Sequence, residues 1–187
     1  MFGEALIGIA GFFDITTLEP IGPMNFLVII IMFGLYICHI HYMCDHHRVV
    51  RANGMIWWHY LIYTSIKLIT VAFIYSKYGE VDSQLTAILM ATSMAVFNLA
   101  VHSTYKYHYD EFPKTTRDVI AMILFTVAGA AVMILFNGEQ YALSIGALVG
   151  FGLPFSYLGS SINMERRLLP TDGSMKHLDI VTMMISW

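Results

Sequence analysis

Charged side chains are the rarest class in this sequence: ten Lys and Arg and thirteen Asp and Glu among 187 residues, or 12%. Soluble domains carry roughly a quarter. So few charges cannot clothe a chain that is 57% hydrophobic, with a mean hydropathy of +0.65, in a hydrated surface. Cysteine is nearly as rare. Cys38 and Cys44 are too few for a disulfide framework, and both end an apolar run, which reads as two free thiols rather than a staple or a metal pair. Met1 to Phe13 lacks the basic leader and small-residue cleavage site of a signal peptide. There is no basic, aromatic-interleaved stripe of the kind nucleic acid requires. A phosphate loop, a nucleophile elbow and an HExxH helix are also missing, which removes the commonest hydrolase and nucleotide-binding chemistries.

What the chain has is apolar length. A hydrocarbon core about 30 Å thick takes roughly 20 apolar residues as helix. Five runs meet that measure: Met24 to Cys44, Met55 to Tyr75, Leu85 to Tyr105, Val119 to Phe136 and Tyr141 to Leu158. The expected fold is all-α, a polytopic integral membrane helix bundle with five complete spans. Met1 to Phe13 and His177 to Trp187 are apolar but rise only about 20 Å and 16 Å as helix, so they read as two truncated terminal helices. The expectation is therefore a single transmembrane helical domain over 1–187 that is a fragment of a longer protein. Turn chemistry falls where the hydropathy breaks, at Glu19-Pro20-Ile21-Gly22-Pro23, at Ala52-Asn53-Gly54 and at Asn137-Gly138. Gly146 and Gly150 make a small-xxx-small step with Pro154 following, which fits close helix packing with a kink, or more sharply a broken transport helix.

Alternate loops differ in charge. One side holds Arg48, Arg51, Lys106, Lys114, Arg117, Arg166, Arg167 and Lys176; the other holds Lys77 among Asp14, Glu19, Glu80, Asp82 and Glu139. Cytoplasmic loops retain Lys and Arg, so the first side is expected inside. Trp57, Trp58, Tyr105 and Tyr107 then mark the cytoplasmic interface, with Tyr75, Tyr78 and Tyr141 at the outer one.

The stretch from Cys38 to Lys67 carries most of the chemistry. Lys67 falls near the bilayer midplane, where an ammonium needs a partner, a wet cavity or neutralisation, and is a functional candidate on that ground. Glu4, ten residues before Asp14, comes out at the same depth and is its candidate partner. His39 or His41, His59 and His102 come from three successive helices at similar depth, and Asn98 shares a face with His102. Convergent imidazoles can bind a metal or relay protons. His39, His59 and His102 are thus the candidate metal ligands, against the plainer alternative of hydrogen-bonded interfacial histidines. The histidine boxes of membrane di-iron enzymes are not matched, because Asp45-His46-His47 lacks a histidine at Met43 and no second paired box exists.

Two blocks resemble a known family. Phe2-Gly3-Glu4-Ala5-Leu6-Ile7-Gly8-Ile9-Ala10 resembles the FGE-x-(I/L)-(I/M)-G-I-A part of the low temperature requirement A (LtrA) membrane family. Asp45-His46-His47-Arg48, Asn53-Gly54 and Trp58-His59-Tyr60 resemble its D-x-x-x...G...(Y/H)-x-H segment. In that family an H-x-x-E-R opening precedes the first block, and Asp179-Ile180 departs from it where His177 to Trp187 would repeat that opening. The resemblance implies a bacterial plasma-membrane protein linked to growth in the cold.

Three functions follow as expectations. The leading one is a transporter or ion-conducting module for an ion or small solute, with Glu4, Asp45, His46, His59, Lys67, Asn98 and His102 as its candidate residues. The second is a membrane-embedded histidine-metal enzyme acting on lipid, and the third a sensor or structural helper without turnover. No cofactor is strongly implied. The partners expected are the lipid bilayer and the transported ion or solute, a homo-oligomer being compatible, with no nucleic acid.

Overall fold

The computed structural model describes residues 3, 7–8, 20–45, 53–79, 81–109, 116–139 and 141–158, with backbone alone at 41 and 42. Among these the chain is helical, without a strand. Five helices follow in order: α1 (Ile21–Tyr36), α2 (Asn53–Tyr78), α3 (Ser83–Ser103), α4 (Thr116–Leu135) and α5, which begins at Ala142–Ala147 and reaches Leu158. Three are long and apolar enough to cross a membrane: Ile21–Ile40, Ser83–Tyr107 and Thr116–Leu135. At 26 residues α2 has the length, but Trp57, Trp58, His59, Tyr60 and Lys67 dilute its hydropathy. Helix α5 is apolar but short, its 17 residues rising about 25 Å.

The helix ends obey local chemistry. Pro20 caps α1 and Pro23 sits in its first turn, where a missing N–H is harmless. Gly79, at φ 65°, ends α2 in the left-handed conformation while its N–H bonds the Tyr75 carbonyl at 3.0 Å. The Asp82 carboxylate then caps α3 by accepting from the backbone of Gln84 and Leu85 at 3.1 and 3.2 Å.

Inside the helices hydroxyls are satisfied at home. Thr64, Ser65, Thr70, Ser93, Ser103 and Thr126 each donate to the carbonyl four residues back, at 2.7 to 2.9 Å. That is how polar side chains are carried where water is absent.

Helix α3 is central: 56% of its apolar stretch is buried, against 11% for α4. Met90, Met94 and Phe97 of α3 meet Ile62, Ile66 and Ile69 of α2, Val28, Ile29 and Met32 of α1, Met133 of α4 and Phe151 of α5 in one core. The other side of α4 presents Ile120, Ile123, Leu124 and Val127 outward. Helices α4 and α5 approach through glycine. A Cβ at Gly129 would lie 2.5 Å from the Gly146 carbonyl oxygen and 2.9 Å from the Gly150 Cα. The small-xxx-small step of the sequence is thus a backbone-to-backbone contact.

Two helices widen into π turns, at Ile37–Tyr42 after α1 and at Leu148–Gly152 within α5. Both matter to the sites below, as such turns often do.

Candidate functional site

The end of the bundle that carries Lys106 and Arg117 is closed by backbone pairing. Helix α3 runs into a 3₁₀ turn, Thr104–Tyr107, after which His108 is extended. There Cys44 and His108 form an antiparallel bridge. Asp45 N–H donates to the Tyr107 carbonyl at 2.7 Å, and Tyr109 N–H to the Met43 carbonyl at 2.9 Å. The first turn of α2 closes on the same point, where a Cβ on Gly54 would lie 2.6 Å from the Tyr107 hydroxyl.

This pairing brings three histidines together. His39, in the π turn, is buried, and its ring centroid lies 6.2 Å from that of His102 and 5.9 Å from that of His108. Its Nδ1 is 3.0 Å from the Leu35 carbonyl oxygen. A carbonyl only accepts, so Nδ1 carries hydrogen and the neutral ring keeps its lone pair on Nε2. The Nε2 atoms of His102 and His108 are shielded from solvent. Cys38 and Cys44 are both buried free thiols, as the sequence suggests, and burial pushes the Cys44 thiol up to about 11.

His59 stands apart from this group. Its Nδ1 donates to the Met55 carbonyl at 2.9 Å and its ring meets Tyr36 edge-on, 6.1 Å away at 89°. The expected set of His39, His59 and His102 is therefore not assembled. Among the described residues no three or more His, Cys, Asp or Glu side chains are arranged to hold a metal ion. His108 is the member that sequence reasoning omits. The signal available was that the runs ending in Cys44 and Tyr105 finish on the same side of the bundle.

Asn98 has a different setting. Buried on α3, it donates one amide hydrogen to Thr126 Oγ1 of α4 at 2.9 Å and the other to the Gly150 carbonyl of α5 at 3.0 Å. Pro154, four residues on, has no N–H to offer that carbonyl. A second clasp, at 2.6 Å, joins α5 to α1 from the Ser144 hydroxyl to Asn25 Oδ1. A third, at 3.0 Å, runs from the Tyr157 hydroxyl to Asp118 Oδ1 near the basic end.

Lys67 lies in the middle of α2, half-buried, its Nζ 5.6 Å from the centre of the Tyr63 ring. Gly8, which is helical, lies against this part of α2, for a Cβ there would meet Thr70 Cγ2 at 3.0 Å. Asp45 is half-buried at the rim, held by its backbone. Glu4 and His46, like His41's side chain and the segment His177 to Trp187, lie outside the described residues.

Set beside models of protein families, curated proteins and solved structures, the chain matches none of them.

Proposed function

We propose that the chain is a polytopic bacterial plasma-membrane protein of LtrA type that passes an ion or small solute across the bilayer. Its five helices each span, and its basic loops face the cytoplasm. The LtrA assignment rests on the short motifs of Phe2 to Ala10 and Asp45 to Tyr60, and carries with it the link to growth in the cold. Support for insertion comes from the three long apolar helices and from the outward apolar face of α4.

The observation that carries the transport reading is Lys67. It is the fifteenth of the 26 residues of α2, about 21 Å along the helix, and an ammonium at that depth is retained where it serves a path or a partner. Gly8 packs three residues beyond it, on Thr70, and Glu4 precedes Gly8 by four in sequence. Those offsets put Glu4 level with Lys67 if both segments run parallel as helices, and the two are proposed as a working pair.

Flux in proteoliposomes tests this. Vesicles holding the full chain should conduct protons, an alkali cation or a small anion above empty vesicles, and Lys67→Met should remove most of that flux. A chain that conducts none of these would end the transport reading in favour of a helper without turnover, for which the Asn98, Asn25 and Lys67 contacts would serve assembly alone.

A further inference from the structure

We infer that Asn137-Gly138, in the turn that closes α4, is a self-modification site, at which the Gly138 nitrogen displaces the side-chain amide of Asn137 and a carboxylate takes its place. Neither residue belongs to the transport reading, so the inference stands apart from it.

The sequence holds two Asn-Gly pairs, and the structure treats them oppositely. Asn53 and Gly54 open α2 and are helical, and Gly54 is pressed against Tyr107, whose hydroxyl a Cβ would meet at 2.6 Å. Helical backbone angles turn the nitrogen of the next residue away from an asparagine side chain, and Gly54 has no room to swing. Asn137 and Gly138 instead lie in a turn, beyond Leu135, the last residue of α4. Gly138 is exposed, with nothing within 4 Å of the position a Cβ would take. Its N–H donates to no backbone carbonyl among the described residues, while its neighbour Glu139 donates to the Phe136 carbonyl at 2.9 Å. With no side chain of its own, glycine leaves that nitrogen unscreened and free to rotate. The Asn137 amide makes two contacts. Its Nδ2 donates to the Ile134 carbonyl at 2.9 Å and its Oδ1 accepts from the Ser83 hydroxyl at 3.4 Å, both at the exposed surface, where water can replace them.

The reaction consumes only water. Solvent base takes the proton of the Gly138 N–H, the nitrogen bonds to Asn137 Cγ, and the Cγ–Nδ2 bond breaks to release ammonia. Water then opens the cyclic imide at either carbonyl and leaves an aspartate or an isoaspartate at position 137. In sum, one amide and one water become one carboxylate and one ammonium ion.

The product is ill suited to its place. Ile134 offers one of the last carbonyls of α4, and the Asn137 amide is a side-chain donor to it. A carboxylate has no hydrogen to give. It also adds negative charge at the negative end of the helix dipole, two residues before Glu139 and against Ser83, the neighbour of Asp82. Conversion therefore loosens the end of α4 where it meets the start of α3.

The test is peptide mapping by mass spectrometry of the full chain, held in detergent in warm, mildly alkaline buffer for several weeks. In the folded chain the peptide containing Asn137 should gain about 1 Da, with isoaspartate among the products, at least about tenfold faster than the peptide containing Asn53. In SDS-unfolded chain, where sequence alone acts, the two pairs should convert at similar rates. Gly138→Ala, which meets open space, should slow conversion at position 137 about tenfold and leave Asn53 as it was. Equal rates for the two pairs in the folded chain, or faster conversion at Asn53, would overturn the inference, and neither result needs a variant to fold. The loosening has its own readout: Asn137→Asp should melt at a lower temperature than the parent, and an unchanged melting temperature would overturn that part.

Discussion

Asn98 on α3 supplies the hydrogen that Pro154 denies to the Gly150 carbonyl, at 3.0 Å across two helices. The side chain of one helix thus helps to complete the backbone of another at a point where the i+4 residue carries no N–H. The same amide also binds Thr126, and both of its hydrogens are used. Asn98 is thus the point where α3, α4 and the π turn of α5 are tied.

Replacing Asn98 by Ala should lower stability by about 1 to 3 kcal/mol, because a buried carbonyl loses its donor. Pro154→Ala returns an N–H at the right place. In that background Asn98→Ala should cost less, by at least about 0.5 kcal/mol, an interaction energy readable from a double-mutant cycle of SDS unfolding. Equal losses in both backgrounds would show that the proline and the asparagine do not share the Gly150 carbonyl.

Gly129→Ala should be far worse than its chemistry suggests. The new methyl would meet backbone on α5, the Gly146 oxygen and the Gly150 Cα, and neither can swing aside. Overpacking of this kind costs about 1 to 3 kcal/mol, and here it separates α4 from α5. Gly138→Ala is the control, with nothing within 4 Å of its Cβ, and should change the melting temperature little. Similar melting temperatures for the two variants would mean that α4 and α5 are not in backbone contact.

The five helices were legible because apolar length and turn residues act locally. Expected and observed ends agree within about three residues for α2 through α5, and α1 begins three residues earlier, at Ile21, since Pro20 and Pro23 start that helix instead of preceding it. The π turns were not legible: nothing in Ile37–Tyr42 or Leu148–Gly152 distinguishes an extra residue per turn from an ordinary apolar run. Depth along the helices put His39 and His102 together correctly, but depth says nothing of rotation, and His59 at similar depth faces Tyr36. His108 could not be found that way at all. It reaches His39 through the bridge to Cys44, a pairing between segments 64 residues apart that no local pattern encodes.

Cys44 is only 1% exposed and its thiol is raised to about 11, so at neutral pH the thiolate is about one part in ten thousand. The sign follows from burial: the neutral thiol persists through the whole neutral range, and reactivity rises only toward pH 11. Maleimide should leave the folded chain unlabelled at pH 7 and label both Cys38 and Cys44 after SDS unfolding. That silence permits a topology test without removing either cysteine. A cysteine introduced at exposed Ser83 should react with an impermeant reagent in intact cells, and one at exposed Thr116 only after lysis. The opposite pattern would invert the proposed orientation.

The proposed pair of Lys67 and Glu4 yields the most decisive experiment. If they pair in lipid, Lys67→Met or Glu4→Gln alone leaves one charge stranded and should cost about 3 to 5 kcal/mol, while the double replacement removes both charges and should recover much of that loss. Folding and function then part company. Recovery of stability without recovery of flux or of growth in the cold marks the two as working charges; recovery of both marks a structural clasp. The contact of Gly8 with Thr70 supplies an independent lever, since Gly8→Leu would push the first segment off α2 and should reproduce the single-mutant loss without touching either charge. Single variants as stable and active as the parent would show that Lys67 relieves its charge elsewhere. The Tyr63 ring at 5.6 Å lies on the route by which its stem can reach the interface, and Tyr63→Leu would then become the damaging change.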